Sequence, residues 1–275
     1  MAGLKDALEG KLTKRELSLL PKSFDVVGDI LIFIDFPKEL LKKKKVVADA
    51  VLNQFLNIKV VCYKAKKYGG EFRTPTLRIL GGERRKETVH KENHIQVKLH
   101  VEKVYFSPRL ATERERINHQ IQAGESVLVL FSGCGVYPVN IAKNTKAKEI
   151  VGVEINPVAH QYALENLKLN KVKNVVLYQG DAKKVAPKIK TTFDRVLMPL
   201  PKSAEEFLGI AIPKVKKGGI LHFYDFMQEE EFNLASEKII SAAKKFKRAV
   251  EVLQVVKCGQ YGPGRFRVCV DARIH

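Results

Sequence analysis

An apolar run from Ser126 to Leu130 breaks into Phe131-Ser132-Gly133-Cys134-Gly135, and from there onward β-rich runs alternate with helical patterns. That alternation limits the fold more than any other feature. Strand-like runs near 127, 150, 175, 194 and 220 are separated by helical stretches near 138, 158, 203 and 230, the order of a parallel sheet covered on both faces. Two final runs, Val250 to Val256 and Phe266 to Ala272 around Gly259, Gly262 and Gly264, read as an antiparallel hairpin. The expected class is α/β, with a doubly wound, Rossmann-like sheet over 107–275.

In such a sheet ligands sit at the carboxyl ends of the strands, and the acids in this chain fall there. Gly133 and Gly135 let the backbone turn tightly and approach a ligand where a Cβ would intrude. Glu154 ends the second run, roughly 20 residues past the glycines, where a carboxylate can accept both ribose hydroxyls. Asp181, after the third, can accept from an exocyclic adenine amine. Phe131, Ile155 and Ala182 are expected to line the same pocket. A lone Gly-x-Gly is an ordinary tight turn; two acids in register with it describe a nucleoside site. A dinucleotide needs a small residue where Pro138 stands, so that a helix N-terminus can face the pyrophosphate. S-adenosylmethionine is therefore the favoured cofactor.

Lysine and arginine number 49 against 30 acids, a formal net charge of +19. Such an excess favours a polyanionic partner, because neutralising phosphates releases counterions; solvated lysine-rich faces are the plainer explanation. The four cysteines, at 62, 134, 258 and 269, form no C-x-x-C pair, and the scattered histidines add no metal constellation. No apolar run approaches the length of a membrane span, and the start lacks the apolar core of a signal peptide. A reduced, cytoplasmic protein is expected.

The first hundred residues follow another pattern. A helix is expected from Lys5 to Leu20, as a helical tail over 1–22. Two strands should flank Gly28-Asp29, and Pro37 opens a helix from Lys38 to Phe55 with lysines 42–45 solvated. Strands are expected at 59–63, 77–81, 88–92 and 94–99, making 23–106 a small α+β domain. Its surface should carry Lys64, Lys66, Lys67, Arg73, Arg84, Arg85 and Lys86 among Tyr63, Tyr68 and Phe72. Ser107-Pro108 is a helix start.

Four segments go further: Ser23-Phe24-Asp25-Val26-Val27-Gly28-Asp29-Ile30, Gly70-Glu71-Phe72-Arg73, Val104 to Arg114 with its S-P-R-L-x-T-E-R run, and Leu200-Pro201-Lys202-Ser203-Ala204. Over about residues 23 to 275 the chain resembles the archaeal and eukaryotic tRNA (guanine-N1)-methyltransferases, which act on position 37 beside the anticodon. Two departures stand out. Many members carry a further N-terminal domain where this chain has a short tail. Many also have Asp at the position of Glu154 and Asn-Leu-Pro at that of Pro199-Leu200-Pro201. Glu with Pro looks like an archaeal branch that also methylates a tricyclic guanine derivative, 4-demethylwyosine, on the wyosine pathway.

The resemblance implies roles. Guanine N1 holds a proton at neutral pH, and a base must take it as the methyl arrives; Glu113 is that base by similarity. Arg73 is implied to stabilise charge building on guanine O6, a task suited to a planar guanidinium. Arg114 is expected beside the cofactor or ordering Glu113, and Phe106 and Pro199 in the cofactor pocket. Arg73, Arg109, Pro199, Leu200 and Pro201 are implied to hold the substrate base or its phosphates. Otherwise, Glu113-Arg114-Glu115-Arg116 is a solvated helix face laced with alternating charges. The implied partner is the tRNA anticodon stem and loop, with the protein a monomer. The rival readings are the aminocarboxypropyltransferase of wybutosine synthesis and a non-catalytic RNA-binding protein.

Overall fold

The structure, a computed structural model, describes residues 2–200 and 202–275, with the backbone alone at 2, 67, 68 and 261. Its contacts divide the chain into two compact units, residues 1–91 with 96–108, and residues 92–95 with 109–275.

The first unit is built on a four-stranded sheet in the order β1-β2-β3-β4 (β1 Phe24–Val27, β2 Ile30–Phe33, β3 Val60–Gly69, β4 Thr74–Gly82). β1 and β2 pair antiparallel across Gly28-Asp29, whereas β2 and β3 are parallel, so the chain must cross over between them. The crossover is a 3₁₀ segment, Lys38–Lys43, continued by helix Lys44–Gln54. That helix buries Val47, Ala48, Ala50 and Val51 against Leu31, Phe33, Val61 and Leu80, while lysines 42–45 stay exposed. A two-stranded sheet of β5 (Glu87–Glu92) and β6 (Ile95–His100) completes the unit's strands.

Three expectations for this half need correction. In place of one helix over 5–20 there are two short ones, α1 (Ala2–Asp6) and α2 (Lys14–Ser18). Thr13 and Glu16 form a capping box that starts the second afresh, and Leu4, Leu8 and Leu12 pack into the unit's core. β3 and β4 outrun the 59–63 and 77–81 runs, making a long hairpin. The expected basic surface is also partly neutralised. Lys64 pairs with Asp25 at 3.4 Å, Arg85 grips Asp29 and Glu83, and Lys86 binds Glu102.

The second unit has a seven-stranded sheet in the order β9-β8-β7-β10-β11-β13-β12. Its strands are β7 (Ser126–Leu130), β8 (Glu149–Glu154), β9 (Val175–Gln179), β10 (Phe193–Met198), β11 (Val215–Gln228), β12 (Val250–Gly262) and β13 (Arg265–Ile274). The first five are parallel, and β13 runs antiparallel between β11 and β12. Alternation decides the two faces. Leu128, Leu130, Val151, Val153, Val196 and Met198 join one core; Val127, Val129, Ile150 and Leu197 join another with Ile117, Tyr137 and Ile141. Numbering the unit's helices onward, these are α4 (Ala111–Gln120), α5 (Val136–Asn144), α6 (Pro157–Asn170), α7 (Ala182–Val185), α8 (Leu208–Ala211) and α9 (Phe232–Lys244) after α3, Lys44–Gln54. The stretch around 203 is a succession of tight 3₁₀ turns either side of α8 rather than one helix.

Candidate active site

The chain leaves β7 for β8 on one side and returns to β10 on the other, so the carboxyl ends of β7 and β10 flank a topological switch point, where open α/β sheets bind ligands. Phe131 leaves β7 at φ 62°, a left-handed conformation uncommon for a bulky residue and held here by its surroundings, including Phe207, packed edge-on at 4.8 Å. Gly135, at φ 78°, caps α5; a Cβ there would lie 3.0 Å from that of Ala163 on α6.

Glu154 fastens this corner. Its Oε2 accepts the Gly133 N–H at 2.7 Å and its Oε1 the Asn156 N–H at 2.8 Å, while its carbonyl accepts the Gly180 N–H at 2.8 Å. One residue thus ties the loops after β7, β8 and β9. Burial raises the carboxyl pKa and the backbone N–H groups oppose that rise. Asp181, half-buried, caps α7 by accepting the Lys183 N–H at 2.9 Å. Ile155 is half-buried and Ala182 buried beside these acids. Beyond β10, the Leu200 N–H bonds the Met198 carbonyl at 2.7 Å across Pro199, a three-residue turn that the proline ring favours. Pro199 and Leu200 are half-buried; Pro201 lies outside the described residues.

The donor set fits an adenosine-type group better than a pyrophosphate. Glu154 at the end of β8 and Asp181 after β9 place two carboxylates at the strand ends, and carboxylate oxygens can accept from hydroxyl and amino donors. Pro138 at the third position of α5 offers no N–H, and Tyr137 and Pro138 are buried, so the helix end is poorly furnished for phosphates.

Glu113 and Arg114 lie on α4, and both are buried, at 5% and 2% exposure, which overturns the solvated-face alternative for them. Arg116 grips Glu113 with two parallel bonds, Nε to Oε2 at 2.7 Å and Nη2 to Oε1 at 2.8 Å, and the Tyr224 hydroxyl donates to Oε1 at 2.6 Å. Arg114 is committed to Glu92 through two bonds of 2.5 Å, with its guanidinium 5.9 Å from the Tyr137 ring centroid. Arg109 is exposed. In the first unit, Arg73 occupies the β3–β4 turn at φ 49°, its N–H donating to the Gly70 carbonyl, and Phe106 is buried edge-on to His90 at 5.1 Å.

Behind Glu113 runs a polar chain that sequence reading missed. Arg116 also donates to Asp271 at 2.6 Å, and Asp271 contacts His222 Nδ1 at 2.6 Å. Arg195 lies 2.7 Å from His222 Nε2 and clasps Glu125. Arginine only donates, so Nε2 accepts and Nδ1 carries the proton to Asp271; burial, which lowers the His222 pKa, favours this neutral form. His222, Cys269 and Asp271 cluster as metal ligands would, yet both imidazole nitrogens are engaged and burial keeps the Cys269 thiol protonated. The available signal was charge inside otherwise apolar strands: Arg195, His222 and Asp271.

Fold and crevice define a class I, Rossmann-like methyltransferase. Residues 88–253 match the TRM5/TYW2 methyltransferase domain and residues 4–85 the TYW2 N-terminal domain, so the chain belongs to the TRM5/TYW2 methyltransferase family. It is 42% identical to the tRNA (guanine(37)-N(1))-methyltransferase Trm5b of Pyrococcus abyssi over 93% of this chain and 76% of that enzyme. The crystal structure of that protein superposes with a TM-score of 0.86 at 41% identity, covering 96% of this chain and 78% of the other. The tRNA 4-demethylwyosine(37)-methyltransferase Taw21 of Saccharolobus solfataricus is 32% identical over 92% of this chain and 94% of its own. TYW2 of P. horikoshii, crystallised with MeSAdo, superposes at 0.83 with 28% identity over 98% and 97%.

Proposed function

We propose that this protein is a tRNA methyltransferase that transfers the methyl group of S-adenosylmethionine to N1 of guanine at tRNA position 37. The observation that carries the reading is the tying of three strand-end loops by Glu154 at the switch point, where the acceptors suit a nucleoside cofactor. When bound, S-adenosylmethionine supplies an electrophilic methyl. The protein's task is then positioning and proton management. Glu154 and Asp181 orient the nucleoside, Phe131, Ile155 and Ala182 wall it, and Pro199 with Leu200 borders the target base. Glu113 takes the N1 proton. Arg73 acts on guanine O6 or on a nearby phosphate, a role resting on the resemblance alone.

A second methylation, at C7 of 4-demethylwyosine, belongs to the same reading; the names of the two relatives carry one activity each, on guanine 37 and on 4-demethylwyosine 37. The formal charge of +19 suits tRNA as partner. A cytoplasmic monomer completes the proposal; no helix among the described residues is long and apolar enough to cross a membrane.

The test is incubation with methyl-labelled cofactor and tRNA bearing guanine or adenine at position 37, followed by nucleoside mass spectrometry. Label on N1 of the guanine is expected. Label on the adenine-bearing tRNA, or transfer of an aminocarboxypropyl group, would overturn the reading. Glu113→Gln should retain cofactor binding and lose turnover by roughly 100-fold or more.

A further inference from the structure

Along β11 and β13 the residues that share the face of Glu113 pass from core to solvent in a few steps. Strand alternation puts Tyr224, Phe226 and Gln228 of β11 on that face, and register pairs them with Cys269, Arg267 and Arg265 of β13. Tyr224 and Cys269 are buried, Phe226 and Arg267 half-buried, and Gln228 and Arg265 exposed. The surface therefore opens just beyond the hydroxyl that donates to Glu113.

These strands also outrun their neighbour. β10 ends at Met198, which pairs with Phe223, whereas β11 continues to Gln228. At about 3.3 Å per residue the extension stands about 16 Å beyond the carboxyl end of β10, beside the turn through Pro199 and Leu200. Its two faces differ. One is closed, with Met227 in the core and Phe266 packed edge-on against Phe232 of α9 at 6.3 Å. The other carries the Arg267 guanidinium, 5.3 Å from the centroid of the Phe226 ring. Opposite Arg267 on β12 stands Gly259, at φ 145°, and no atom of the described residues lies within 4 Å of a Cβ added there. Next to it, the Cys258 thiol senses the charges of both Glu113 and Arg267, which ties this surface to the site.

We propose that Phe226 and Arg267 form a stacking platform for the flat face of the target base, and are thus substrate-binding residues. The inference deepens the reading of the chain as a guanine-37 methyltransferase and rests on it. The reaction asks for such a surface. The N1 lone pair lies in the plane of the ring, so the edge carrying N1 must point at the incoming methyl and the base must be held by its faces. A base taken out of its stack loses its neighbours, and aromatic rings and arginine planes replace them. Phe226 supplies a ring and Arg267 a planar cation that lies well on a purine face. A lysine would supply the charge without the plane.

The experiment measures, by fluorescence anisotropy on the full chain with S-adenosylhomocysteine present, the affinity for tRNA with guanine at position 37 and for the same tRNA with an abasic site there. The natural sequence should bind the guanine-bearing tRNA about 10-fold more tightly, the effect of stacking one base. Phe226→Leu, Arg267→Gln and Arg267→Lys should each bring that ratio to about 3-fold or less, with S-adenosylmethionine affinity and melting temperature unchanged. Arg267→Lys keeps the stem and the charge, so it decides the matter where another variant fails to fold. Equal weakening toward both tRNAs would make these residues backbone contacts, and a full ratio in Arg267→Lys would make charge, not the plane, the source. Either result overturns the proposal, as does a natural ratio near one, or a cofactor affinity that falls along with the ratio. Methylation separates the two levels. A natural chain that leaves guanine 37 unmethylated sinks the reading on which the platform rests; one that methylates it while the variants keep the full ratio sinks the platform alone.

Discussion

The close approach of α5 and α6 beneath the glycine turn can be measured with one added methyl. Gly135→Ala would place a Cβ at φ 78°, 3.0 Å from the Ala163 Cβ and 3.2 Å from its Cα. The left-handed backbone costs an alanine about 1–2 kcal/mol. Backbone cannot fold away as a flexible side chain can, so overpacking adds about 1–3 kcal/mol. The expected loss is therefore about 3 kcal/mol in urea unfolding, with weaker S-adenosylmethionine binding by calorimetry as the turn is displaced. Gly124→Ala is the matched control: φ is 84° there, with nothing within 4 Å of the added Cβ. It should lose the backbone share alone, about 1–2 kcal/mol, and keep cofactor affinity. Equal losses in the two variants, with affinity unchanged in both, would refute the claim that helix packing sets the turn.

Asp194 accepts from the Ser126 N–H and hydroxyl and pairs with Lys216; burial opposes ionisation but these partners lower its pKa to about 2. A depressed folded-state pKa means stability present above the unfolded value and lost as pH falls toward about 2. With a third of the side chain exposed, Asp194→Asn should cost about 1 kcal/mol at pH 7 and little near pH 2, read from thermal melts. Arg195→Met should cost about 3–5 kcal/mol in urea unfolding, because Glu125, His222 and the Gln120 carbonyl all lose a donor. Adding Glu125→Leu should recover part of that loss; no recovery would mean the ion pair is not its source.

The crevice was legible because its parts are local. Gly133, Gly135, Glu154 and Asp181 each follow a strand, and once the strands are parallel neighbours their carboxyl ends must meet. The surroundings of Glu113 were not legible, because Tyr224 meets it, and Asp271 meets its partner Arg116, through register between strands more than a hundred residues further on. Nothing in Glu113-Arg114-Glu115-Arg116 says which charges turn inward. Glu113 and Arg114 do, and Arg114 finds Glu92 at the end of β5, whose proximity no spacing rule gives. The helix expected over 5–20 failed for a local reason, since Thr13 with Glu16 is a start signal inside the supposed helix.

The order in which the chain is made bears on when Glu113 acquires its partners. Residue 113 emerges from the ribosome long before 224 and 271, and β7 waits through about two more βα units before β10 arrives to pair with it. Contacts this distant in sequence close slowly. Until they do, Glu113 and Arg116 are an ordinary helix pair three residues apart, and Asp271 has no arginine. A nascent or truncated chain ending before β13 can therefore display the glycine turn and its acids while Glu113 and Arg116 still lack Asp271, so the two parts of the proposed site should reach their folded form at different moments in synthesis.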